Sequence, residues 1–97
     1  MRIYISGPIT SRPINEAEEH FRIEEYGLYI AYHEPINPMK IKPFLGFANW
    51  YCYMITDVWA LLKCDAIYML KGWEQSRGAK IEKRIAEWLK MEILFEK

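Results

Sequence analysis

Apolar positions along the chain switch between two periods. Residues 2–6, RIYIS, are a β-branched and aromatic run ended by Gly7-Pro8, which predicts a strand and a tight turn. From Pro13 or Asn15 onward, Ala17, Phe21, Leu28 and Ala31 recur at helical spacing. Glu16, Glu18 and Glu19 occupy the first turns, where the helix dipole favours negative charge, and Gly27 weakens the last turn. HEPINP, residues 33–38, predicts a short second strand closed by Asn37-Pro38. Residues 39–49 hold Pro43 and Gly46 without a clear period and read as a loop over the active face, a candidate lid. Trp50, Met54, Val58, Leu61 and Leu62 mark a second helix. CDAIYML, residues 64–70, is almost continuously apolar, as suits a strand buried on both faces. KGWEQSR is a loop, Gly78 to about Lys90 a third helix, and MEILFE, residues 91–96, a fourth strand.

Strands alternating with helices imply parallel pairing through right-handed crossovers. The expectation is one α/β domain over residues 1–97, a small flavodoxin-like or Rossmann-like three-layer sandwich with a four-stranded parallel sheet. Ligands of such sheets bind beyond the carboxyl ends of the strands. That edge collects Gly7 to Arg12, the loop after Asn37, and Lys71 to Arg77.

Composition narrows the partners. With 52% hydrophobic residues, 97 residues can form a core without disulfides or a structural metal. Lys plus Arg number 13 and Asp plus Glu 13, so neither duplex nucleic acid nor an anionic membrane is expected as the partner. A small anionic ligand needs only a few local donors. Cys52, Cys64, His20 and His33 have no metal-type spacing, so no metal or cofactor is expected, and the thiols read as buried and reduced. A first strand at Arg2 leaves no room for a signal peptide, and no apolar run approaches the roughly 20 residues of a membrane helix. A soluble, cytoplasmic protein is the expectation.

The candidate chemistry lies between residues 57 and 82. A third helix should turn Gly78, Ile81, Ile85, Ala86 and Leu89 inward, and Glu82 falls in the middle of that stripe. Asp57 likewise shares a helix face with Met54, Val58 and Leu61. Buried carboxylates are costly without partners. The structural alternatives are an ion pair of Asp57 with Lys63 or Arg77, and of Glu82 with an arginine. The chemical reading is a pair of acids for glycosyl transfer, one attacking the anomeric carbon and one protonating the leaving group. A separation of roughly 5–5.5 Å would imply retention through a covalent intermediate. Asp65, at a strand start far from the ligand edge, reads as structural. Ser76, Arg77 and the Gly78 amide stand at a helix N-terminus, a natural anion site. The glycine spacing from Gly72 to Lys80 is wrong for a P-loop, and no GxGxxG is present. Tyr4, in the last turn of its strand, is within reach of a carboxylate. Trp50, Tyr51, Tyr53 and Trp73 are candidates for stacking on a base; Trp50 is assigned to the core by default and Trp73, in the loop beside the acids, to binding.

YISGPIT at 4–10, INP at 36–38, TDVWALLKCDAIYML and GWEQSRGAKIE together resemble the nucleoside 2-deoxyribosyltransferase-like superfamily, over nearly the whole chain. The resemblance is narrower still to its short members of uncharacterised function, many encoded by bacteria and their phages. It implies that Glu82 of a G-x-x-x-E element is the nucleophile, that Asp57 is the acid or leaving-group partner, and that Tyr4 holds Glu82 ionised and oriented. By similarity to deoxynucleoside 5′-monophosphate N-glycosidases, Ser76 would bind phosphate, with Ser6, Gly7, Thr10, Arg12, Trp73, Arg77 and Gly78 completing the substrate site. Those enzymes supply a serine and an arginine from the turn after the first strand. Here Pro8 and Thr10 stand in those places, with Ser11 and Arg12 just beyond. The resemblance further implies a homodimer or larger homo-oligomer, with the aromatics of residues 44–53 at the contact. The alternatives are a non-catalytic module that sequesters a nucleotide on the same fold, and a hydrolase of NAD-like N-glycosides.

Overall fold

The computed structural model describes residues 1–9, 12–41 and 50–97. Strands β1 (Arg2–Ser6), β2 (Glu34–Ile36), β3 (Ala66–Met69) and β4 (Glu92–Phe95) alternate with helices α1 (Ile14–Ile30), α2 (Trp50–Leu61) and α3 (Arg77–Trp88). All strand pairs are parallel, in the order β2-β1-β3-β4. This is the expected four-stranded α/β sandwich, with the chain reversing direction across the sheet between β1 and β3.

Alternation along the central strands divides the core. Tyr4, Ile67 and Met69 pack with Leu61 of α2 and with Ala79 and Ala86 of α3. Ile5 and Leu70 turn the other way, onto Phe21 of α1. Gly7 is required where β1 leaves the sheet, since a Cβ there would sit 2.7 Å from Leu70 Cβ.

The first and third helices end close to the expected positions, without a glycine at either cap. α1 runs through Gly27 and stops where Tyr32 adopts φ 68°, the His33 N–H donating to Leu28 O. α3 ends the same way, with Lys90 at φ 60° and the Met91 N–H donating to Ala86 O. Both are left-handed caps without glycine, closed by the 6→1 bond of a Schellman motif. Asp65 is structural as expected: its carboxylate accepts the Arg2 N–H at 2.9 Å, and its own N–H donates to Arg2 O. Among the described residues no helix is long and apolar enough to cross a membrane.

Candidate active site

The site is built where α2 and α3 begin above the carboxyl ends of β1 and β3. A cavity of about 510 Å³ opens there, with Asp57 and Glu82 on its wall. α3 enters through Ser76, whose Oγ caps the helix by accepting the Ala79 N–H at 3.2 Å. Six residues on, Glu82 points at the sheet, flanked by the buried Ala79 and Ala86. The inward stripe is therefore centred on Ala79, Glu82 and Ala86. Leu89, expected inside, is 46% exposed.

Glu82 is 5% exposed and both its oxygens are bound by hydroxyls of β1. Tyr4 Oη donates to Oε2 at 2.8 Å and Ser6 Oγ to Oε1 at 2.6 Å. Two residues apart on a strand, Tyr4 and Ser6 necessarily face the same way. Asp57 reaches the same place from α2; its charge raises the pKa of Glu82, and the Tyr4 hydroxyl acts on both acids. Neither carboxylate makes an ion pair among the described residues. The cations proposed for Asp57 stack elsewhere: Lys63 over the Trp59 ring at 5.2 Å and Arg77 over Trp50 at 4.2 Å.

Electrostatics follow from that isolation. Burial pushes the Glu82 carboxyl up to about 8, against the opposing hydrogen bonds of Ser6 and Tyr4, with the charge of Asp57 adding to the rise. Burial pushes Asp57 up to about 7, tempered by Tyr4. Tyr4 is itself raised well above the usual phenol range by burial and by the Glu82 and Asp57 charges, so it remains a donor. The family resemblance implies that Tyr4 holds Glu82 ionised. Its hydrogen bond works in that direction, but desolvation is the larger effect, and near neutral pH the pair retains a proton.

The remaining site residues divide. Gly7, Ser76, Arg77 and Gly78 line the cavity. Gly78 packs against α2, where a Cβ would lie 3.1 Å from Met54 Sδ. Ser6 is 1% exposed and meets Glu82 rather than open space. Arg12 donates from Nε to Pro8 O at 3.1 Å and is not among the described lining residues. Thr10 and Ser11 lie outside the described residues, as do residues 42–49 of the candidate lid; Met39 and Ile41, before them, line the cavity.

The two tryptophans exchange their expected places. Trp50, assigned to the core, stands in the first turn of α2 on the cavity wall. Trp73, assigned to ligand, is turned away by Gly72 at φ 91° into a short 3-10 turn. Its ring packs on the core and lies 6.2 Å from that of Phe95, under Lys83 at 5.2 Å. Sequence reasoning also missed Glu18, Ile9 and Ile14, which line the far wall; Glu18 sits on the polar side of α1 and gave no signal. Among the described residues no cluster of three or more His, Cys, Asp or Glu could hold a metal ion.

The fold is thus a parallel α/β sheet with a pair of buried acids at its carboxyl edge. Residues 1–95 match the family described as a domain of unknown function, DUF4406, and the chain belongs to that family. No curated protein matches the sequence significantly.

Proposed function

We propose that this protein cleaves or transfers the N-glycosidic bond of a nucleoside, deoxynucleoside or nucleoside monophosphate, with Glu82 as nucleophile. One observation carries the reading: two buried carboxylates line one cavity, hydroxyls hold Glu82, and among the described residues neither acid pairs with a cation. Such a site favours a species that gains positive charge as it reacts, and the oxocarbenium-like sugar does so. Raised acids in a cleft also fit a proton-transfer role.

The ionised Glu82 forms a bond to C1′ as the C1′–N bond breaks and its electron pair leaves with the base. Asp57 gives that nitrogen a proton. Water, or a second base, then attacks C1′, returning its proton to Asp57 and releasing Glu82. The half-buried Trp50 and the apolar residues Met39 and Met54 offer the base a surface to pack on. The resemblance to deoxyribosyltransferases noted in the sequence agrees with this assignment.

A second reading is binding without cleavage. It is favoured by the proton the pair retains near neutral pH, because a protonated Glu82 donates a hydrogen bond and does not attack. Chromatography of the folded protein incubated with nucleosides, deoxynucleosides, their 5′-monophosphates and NAD separates the readings. Release of free base is expected, falling on the order of a thousandfold or more in Glu82→Gln. No release from any of them refutes the proposal. An intact nucleotide held equally well by Glu82→Gln supports the binding module. The reading also carries a homodimer or larger homo-oligomer, for which the exposed α2 stripe of Tyr51, Ile55, Trp59 and Leu62 is the contact surface; sedimentation velocity reads that state.

A further inference from the structure

We infer that Ser6 is a positioning residue that fixes the Glu82 carboxylate and weakens its hold on a proton. The inference rests on the proposed role of Glu82 as nucleophile and adds what makes that role available.

Ser6 is buried, and its Oγ lies 2.6 Å from Glu82 Oε1. That length belongs to a hydroxyl donating to a charged oxygen. A serine hydroxyl this deep has one purpose visible in its surroundings: the hydrogen bond goes to Glu82, while the Ser6 carbonyl is taken up by the Leu70 N–H in the sheet. Tyr4 donates its one proton to the other Glu82 oxygen, so the two hydroxyls of β1 hold the carboxylate at both ends. Ser6 acts on Glu82 alone, and more strongly there than Tyr4.

Among the described residues few groups face the pair. β1 contributes Tyr4 and Ser6 beside Glu82, and Asp57 comes from α2. Glu18 of α1 lines the same cavity, and Arg77, on its wall, stacks on Trp50. No described cation acts on Glu82. Burial favours the protonated carboxyl, and cleavage needs it ionised. Ser6 is the neutral donor that opposes burial at this carboxyl.

Carboxyl-carbon NMR titration of the folded protein labelled with ¹³C at Asp and Glu side chains tests this without a substrate. Ser6→Ala is expected to raise the Glu82 midpoint by about one pH unit without raising that of Asp57. Ser6→Cys, a weaker donor of similar size, should fall between wild type and Ala and covers the case in which Ala folds poorly. Tyr4→Phe should raise both midpoints. Where base release is measurable, kcat of Ser6→Ala falls with KM nearly held, and the acid limb of its pH profile moves up with the Glu82 midpoint. Unmoved midpoints in Ser6→Ala and Ser6→Cys, or a rise confined to Asp57, overturn the inference. Absence of glycosidase activity would remove the proposed function and leave the titration result standing on its own.

Discussion

The two faces of β1 carry different physics five residues from the N-terminus. Ile5 turns toward α1 and meets Phe21 and Leu70, a contact made by shape and dispersion alone. Tyr4 and Ser6 turn toward α2 and α3, where the same strand presents hydroxyls to a carboxylate. The first face does packing alone. The second packs Tyr4 against Leu61, Ile67 and Met69 and also keeps two acids out of water, so one strand serves both ends by alternation. Polar groups set among the apolar residues of a central strand are then candidates for chemistry, because their apolar neighbours still supply the packing.

Substitutions on the two faces should therefore fail differently. Ile5→Ala is the larger stability loss, about 2–5 kcal/mol for a fully buried isoleucine, read as a lower urea midpoint. Its effect should be nearly the same from about pH 5 to about pH 9, since the titratable group packed on that cluster, Tyr68, is raised above the usual phenol range by burial. Tyr4→Phe should cost less, about 1–3 kcal/mol for a buried acceptor left without its donor. That loss should grow with pH, because the missing bond stabilised the ionised Glu82, and base release should fall more than stability does. If Tyr4→Phe were as pH-independent as Ile5→Ala, the two faces would not differ in the way described.

Much of the fold was legible because its signals are periodic. The order of elements and the parallel sheet follow from alternating strand and helix patterns, and Glu82 and Asp57 stood out as charges on apolar faces. The ends of the first and third helices fell near Ala31 and Lys90 as read, although no glycine marks them. In the third helix Glu82 and Ala86 were read inward correctly, but Leu89 was placed inside and the small Ala79, which the close approach to β1 and β3 selects, was missed. The exchange of Trp50 and Trp73 was not readable either. It depends on Gly72 turning the chain back over Met69 and β4, a direction that spacing along a sequence does not encode. Ser6 was assigned to substrate, whereas its partner in the structure is Glu82, 76 residues away.

The central claim is that Glu82 and Asp57 are buried together with no counter-ion among the described residues. Both acids are raised in the folded state, to about 8 and about 7 from 4.5 and 3.8, so the native protein binds more protons than the unfolded chain across that interval. Their contribution to stability is complete below the unfolded values and is lost as pH rises through the folded ones. Urea unfolding of wild type and Glu82→Gln at a series of pH values from about 5 to about 9 measures this directly. The account predicts a wild-type midpoint that falls steadily relative to that of Glu82→Gln, which becomes the more stable of the two at the alkaline end. Parallel curves, with a constant gap between the two proteins across the whole range, would contradict it.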